Sequence, residues 1–424
     1  MDMSELPQAL TLLGSGGGLA QAALALLDRA AAKADDPLHS LLGSCTLHLI
    51  DVRQKKLSHF TSRFPNLAPR LRVHSFDLRD LETFKRHLID TGTALVVDVS
   101  WADTLKMLEC CNELGVSYLN TALENESVDE DPTLYGFPLT ERFERFDDER
   151  GRFDRLKAIV CSGMNPGVVQ WMAWKLERMN PGRSPLACYI VERDSSFYTD
   201  ASAAKPRTIY ASWSVECFLD ESILSYPMFV KNQVPHYFRE EVYSAEYKVR
   251  LGDKEFYGCL MPHEEVLTLG MRKGWEVGFL YRVSEYTTKL IRDRLDDVDE
   301  LWDWEQEIVS PENGEVEGED LVGVLFVYED EEKYIYNVLD SKTVYPVYGT
   351  NATYYQVACG VYAAMACLCL DSVPNGVHFV DELLDSGVDC RYGEYLGRYM
   401  ERFETGSNPR SDGLLAQRRQ VVAE

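Results

Sequence analysis

Over the first 180 residues the hydrophobic positions fall into short continuous blocks separated by amphipathic stretches. The blocks 9–13, 46–50, 71–76, 94–99, 116–119 and 157–161 have the length and continuity of buried strands. Between them, the Ala/Leu-rich run 19–32, the stretches 81–89 and 102–114, and the run from Asn165-Pro166-Gly167 to about 179 carry helical spacing. Strand alternating with helix predicts an α/β fold with a doubly wound parallel sheet of the Rossmann type. Residues 124–156 are dense in charge and turn formers, which predicts a surface excursion with a solvated helix.

Past residue 183 the pattern changes. Stretches 188–191, 208–219, 242–250, 255–259 and 321–328 read as strands, several with alternating polarity, and 285–307 reads as one long helix. Acidic linkers lie at 312–320 and 329–333, and 354–370 is apolar and small throughout, as expected of a buried helix. The expected division is a dinucleotide-binding domain over 1–182, a mixed α+β substrate and dimerisation domain over 183–350, and a C-terminal helical segment over 351–424 that packs back at the junction. A chain of 424 residues is long enough for more than one core.

Composition narrows the partners. With 45% hydrophobic and 26% charged residues the chain is an ordinary globular one. Its 43 Lys and Arg against 69 Asp and Glu leave a net charge of −26, a field that repels nucleic acid and anionic membrane surfaces and concentrates cationic ligands. Apolar stretches are read as broken by Gly or charge before the length of a membrane span, so no membrane partner is expected. The 11 cysteines show no paired spacing for zinc, which predicts reduced, buried thiols, no metal site and a cytoplasmic protein.

The chemistry begins at Gly14-Ser15-Gly16-Gly17-Gly18, directly after the first strand and before the first helix. Glycines there let the backbone approach a pyrophosphate, while the helix N-terminus supplies free N–H groups and a positive dipole end. Leu19 stands at the third fingerprint position, where Gly or Ala is usual, and Ala20 follows it. Asp51, at the end of the second strand, is placed to accept hydrogen bonds from ribose hydroxyls and to repel a 2′-phosphate, which favours NAD over NADP. Arg53, Lys55 and Lys56 keep NADP open.

Several segments are similar to bacterial homospermidine synthases, within the saccharopine dehydrogenase superfamily. They are Tyr118-Leu119-Asn120-Thr121-Ala122-Leu123-Glu124, Ser162-Gly163-Met164-Asn165-Pro166-Gly167, Val191-Glu192-Arg193-Asp194, Ser212-Trp213-Ser214-Val215-Glu216 with Phe218 and Glu221, and Asn351-Ala352-Thr353. The resemblance implies an enzyme that retains NAD, oxidises putrescine to an imine, exchanges ammonia for a second putrescine and reduces the product. It also implies that Trp213 faces the iminium carbon, and that Glu124, Asn165, Glu192 and Glu221 hold ammonium groups or lie beside the nicotinamide. His263 falls in the corresponding active-site segment. A small polyamine substrate and a homodimer are the expected partners.

Taken singly, each residue has a plainer reading. Glu192 is one half of a surface ion pair with Arg193, Trp213 a core residue, Asn165-Pro166-Gly167 a helix start, and His263 a solvated polar residue. Two other functions stay open. One is reductive coupling of an amine with a keto acid or aldehyde, for which Arg193, Lys205 and Arg207 offer cations; the other is a non-catalytic NAD sensor.

Overall fold

The computed structural model describes residues 7–422, which divide into two compact units. Among the described residues the first comprises 7–130, 142–168 and 355–401, and the second 131–141, 169–354 and 402–422, so each is assembled from separated stretches of chain. The stretch 351–424 is thus shared: 355–401 goes with the first unit and the remainder with the second.

The first unit is built on a parallel sheet in the order Gly376–His378, Lys157–Ile159, Ser117–Asn120, Thr93–Asp98, Ala9–Leu13, Thr46–Ile50, Leu71–His74. Ala9–Leu13 is buried at every position, because helices cover both faces of a doubly wound sheet and leave no polar side to alternate with. It lies between the second and fourth strands, so the strand order reverses at its carboxyl end, where such sheets bind their ligands. Side-chain caps set helix starts: Asp80 accepts from Thr83 N before Leu81–Thr91, and Asp103 from Lys106 N before Thr104–Leu114. Both helices end on glycines in the left-handed region, Gly92 and Gly115. The charged 124–156 stretch does contain a helix, Pro138–Arg150, but Leu139, Phe143 and Phe146 on it are buried, so it is amphipathic rather than solvated.

The second unit is built on a mixed sheet in the order Phe403–Asn408, Glu332–Asp340, Glu319–Val327, Ala187–Asp194, Glu276–Arg282, Lys254–Met261, Ala245–Leu251, Arg419–Val421. A hairpin, Met228–Lys231 with Val234–Tyr237, joins at Glu276–Arg282; Asn232 and Gln233 turn it with positive φ at both positions, the geometry a two-residue hairpin requires. Ala187–Asp194 and Glu276–Arg282 run parallel to each other.

Three expectations fail here. The strand read over 208–219 is only Thr208–Ala211; Ser214 then accepts from Cys217 N and caps the helix Val215–Ser222, leaving Trp213 in the turn between them. The long helix over 285–307 is Glu285–Arg292 followed by a 3-10 stretch, Leu295–Asp303, that leaves helical geometry at Asp297, and then a strand, Glu305–Ile308. Asp293, Asp296, Asp297 and Asp299 crowd like charges into those turns and favour local backbone bonding over helix. The apolar helix Ala352–Leu370 is uncharged over 19 residues and is not broken by Gly360, so by length and composition it could span a membrane; most of it is instead buried within the protein.

Candidate functional sites

In the first unit the loops after successive parallel strands bring Gly14, Asp51, Glu124 and Asn165 to the carboxyl edge of one sheet. Gly14 has φ +72°, and a Cβ there would meet the Val99 carbonyl oxygen at 2.7 Å. A Cβ on Gly16 would meet Asp51 Oδ2 at 2.9 Å. The glycines are therefore demanded by the turn's own closeness as well as by any ligand. Gly17 and Gly18 are exposed at the N-terminus of the 15-residue helix Gly18–Ala32, whose first turn carries no acidic side chain to compete for its N–H groups. Ala20, fully buried, is the small residue under the turn, and Leu19 is half-exposed. These features fit a dinucleotide pyrophosphate.

Asp51 has a second task. Its Oδ2 accepts from Gly16 N at 2.8 Å and its Oδ1 from Arg53 N at 2.8 Å, so the carboxylate locks the glycine turn while its remaining lone pairs stay able to take ribose hydroxyls. Ser15 is buried, its Oγ donating to Gln54 Oε1 at 3.0 Å and its N to Ile50 O at 3.0 Å, which places it in the scaffold.

Asn120 organises the far side of this edge. Its Oδ1 accepts from Cys161 N at 2.9 Å, its carbonyl from Ser162 N at 2.9 Å, and its Nδ2 donates to Ala122 O at 2.7 Å. One side chain thus joins the loop bearing Glu124 to the loop bearing Asn165, and both of these residues are half-exposed. Gly167 closes the second loop at φ +121°, Val168 N donating to Gly163 O at 3.1 Å to begin the next helix. The resemblance named Asn120 only within a motif; its bridging role depends on pairing across the sheet.

The second unit holds the remaining site residues. Glu192 is 4% exposed, while its neighbour Arg193 pairs with Glu319, which removes the surface ion-pair reading of Glu192. Opposite Glu192 on the adjacent parallel strand stands Tyr281, whose hydroxyl accepts from Trp213 Nε1 at 3.2 Å. Burial, reinforced by the charges of Glu192, Asp194 and Asp320, pushes the Tyr281 phenol well above its ordinary range, so it stays protonated. The Trp213 turn is held from Asn351-Ala352-Thr353: Asn351 Nδ2 donates to Ser212 O at 2.6 Å, and Thr353 Oγ1 lies 2.8 Å from Ser212 Oγ and bonds Asp320. Two segments far apart in sequence thereby make one structure. Asp194 and Asp320 are paired across strands and both are raised from the ordinary aspartate value, by burial first; from sequence Asp194 was named only within its motif and Asp320 not at all.

From Tyr281 the aromatic contacts continue to Phe279, stacked at 5.6 Å, and from there to His263 at 4.9 Å. His263 is 5% exposed and bonds Glu265 through Nδ1; Glu264 Oε2 lies 3.5 Å from the same nitrogen and Glu221 Oε1 3.7 Å from Nε2. It is therefore not a solvated residue. Burial opposes its charge, but the three carboxylates outweigh burial and hold its pKa well above the usual histidine value. Glu221 is also raised, by burial first, up to about 8, with His263 offsetting part of the rise and Glu264, Asp220 and Glu265 adding to it. Glu221 Oε2 and Glu265 Oε1 are buried without a hydrogen-bond partner among the described residues. Buried carboxylate oxygens of this kind demand a cation or a donor.

Two groups gather possible ligand atoms within 4.8 Å of one another: His263, Glu264 and Glu265, and Cys367, Asp371 and Cys390.

No protein-family model matches the chain, and no curated protein matches its sequence. Among solved structures it resembles apo saccharopine dehydrogenase (L-Glu forming) from Saccharomyces cerevisiae, with a TM-score of 0.57 and 10% identity over 94% of this chain and 100% of that one. An oxidoreductase from Agrobacterium radiobacter, solved with NAD+, L-tartaric acid and magnesium, is matched at a TM-score of 0.36 and 12% identity over 93% of each chain. What the chain shares with the yeast enzyme is the fold: a doubly wound parallel sheet and a separate mixed sheet, joined in one polypeptide.

Proposed function

We propose that the protein is an NAD-dependent oxidoreductase acting on a cationic amine, and that its reaction is homospermidine synthesis from putrescine. The observation that carries this reading is the buried acid cluster around His263, where two carboxylate oxygens lack a partner in an interior that still needs positive charge. An ammonium group supplies both the charge and three donors.

Glycine turn and switch point fit a bound dinucleotide, its pyrophosphate at the N-terminus of the Gly18–Ala32 helix and Asp51 toward the ribose. NAD would serve as the hydride acceptor and return the hydride to the coupled product. An amine must lose a proton before hydride leaves its α-carbon, and Glu221, with its pKa near 8, is poised to exchange that proton at neutral pH. Trp213 presents a π-face that is worth about 2 kcal/mol against a desolvated cation and more to an iminium than to a neutral amine. Tyr281 fixes the plane of its indole through Nε1.

Coupling to a keto acid is disfavoured by the state of the cations it would use. Arg193 pairs with Glu319, Lys205 with Glu307, and Arg207 with Glu300 at 3.0 Å. The deciding experiment supplies NAD and putrescine and identifies products by mass spectrometry. Homospermidine and ammonia without net NADH are expected; product only when a keto acid is added would move the enzyme to the reductive couplers, and NAD binding without any turnover would make it a sensor.

A further inference from the structure

Cys367 lies on the buried helix Ala352–Leu370, and Cys390 in the turn that follows the exposed positions 385–387. Their Sγ atoms are 3.0 Å apart, Cys367 buried and Cys390 partly open to solvent. Beside them Asp371 anchors the same two segments: it accepts from Arg391 N at 2.9 Å, Nε at 2.9 Å and Nη2 at 2.7 Å, and from Tyr395 OH at 2.8 Å. Both Asp371 oxygens are thus engaged, Oδ1 by the Arg391 guanidinium and Tyr395 OH and Oδ2 by the Arg391 backbone N–H, which disfavours a metal ion at this group and leaves the two thiols to each other.

We propose that Cys367 and Cys390 are a reversible dithiol–disulfide pair that pins the segment bearing Tyr392 to the Ala352–Leu370 helix. Tyr392 OH lies 3.0 Å from Ser162 Oγ, and Ser162 Oγ also donates to Gly360 O at 3.1 Å, so the clip tightens the support of the loop that carries Asn165. Cys390, partly open to solvent, meets an oxidant before the buried Cys367, which makes Cys390 the nucleophile and Cys367 the resolving thiol. With hydrogen peroxide as oxidant, Cys390 thiolate attacks one peroxide oxygen, water leaves, and a sulfenic acid forms. Cys367 then attacks that sulfur and expels the second water. Two sulfurs give up two electrons to the peroxide, and both thiol protons end in water.

The test is disulfide mapping on the full chain after treatment with one equivalent of hydrogen peroxide, alkylation of residual thiols and digestion without reductant. The expected result is a peptide pair joining 367 to 390, lighter by two hydrogen atoms than its parts and separated again by dithiothreitol. Cys390→Ser, at a half-exposed position, should melt as the parent does and yield no such pair. Alkyl groups on both cysteines after oxidation, or Cys390 linked to a different cysteine, overturns the proposal. So does stoichiometric zinc binding by the reduced chain that Cys390→Ser abolishes, since the group would then be a metal site. The result is independent of the amine chemistry.

Discussion

In the first unit His48, His74 and His87 stand ring against ring at 4.7 to 5.3 Å, and in the second His263 stands among three carboxylates. The same side chain is driven in opposite directions. Burial first, then mutual repulsion and Arg72, takes His48 down to about 4, and burial with its two histidine neighbours takes His87 down to about 4. In His263 the acids overcome burial and keep the ring charged. The ligand edges differ in the same sense: main-chain N–H groups at the glycine turn favour an anion, and unpartnered carboxylate oxygens favour a cation.

The sharpest way to break this contrast is Glu221→Gln, which keeps the shape but removes the proton acceptor. Turnover with putrescine should fall about 10²–10⁴-fold, as for loss of a general base, with the melting temperature nearly unchanged. Normal turnover in the folded variant would remove Glu221 from the chemistry. Next comes Trp213: activity should fall in the order Trp, Phe, Ala, and loss of about 2 kcal/mol at the transition state corresponds to roughly thirtyfold in rate. Undiminished turnover by a folded Trp213→Ala protein that still binds NAD would leave the indole as packing around Tyr281.

For the first unit, Asp51→Ala should narrow the preference for NAD over NADP by about tenfold, or about 1.4 kcal/mol, in calorimetric titrations. Equal affinity of the native chain for the two nucleotides would sink the assignment of Asp51. The smallest effect expected is on stability against pH. Folded His48 and His87 have lowered pKa values, so their neutral forms support the fold fully above about 6.5 and that support is lost as pH falls toward 4. Glu221 has a raised value, so its contribution is complete below about 4.5 and is lost as pH rises toward 8. A His48→Gln, His87→Gln double variant should flatten the acid limb of the melting curve and leave the alkaline limb as it was; an unchanged acid limb would show that the histidines do not govern it.

How much was legible follows from the range of the interactions. Alternating strand and helix, the glycine turn at Gly14 to Gly18 and Asp51 after the second strand are local patterns, set by periodicity and backbone freedom, and the parallel sheet appears almost where the pattern placed it. The second unit was legible mainly through its motifs. Its hairpin, its helix Glu264–Lys273 and its strand Glu332–Asp340 left no pattern that was read, and the polar turn at Trp213 was absorbed into a strand.

By itself the sequence determined the α/β class and the dinucleotide-type turn, because each depends on chemistry carried within a few neighbouring positions. Only the tertiary structure decided that Asp51 locks the glycine turn, that Glu192 is buried beside Tyr281 instead of paired with Arg193, that His263 keeps its charge among Glu221, Glu264 and Glu265, and that Cys367 meets Cys390. The reason is that a pKa, a buried charge or a thiol pair is a property of everything within a few ångströms, and strand pairing chooses those neighbours from distant parts of the chain.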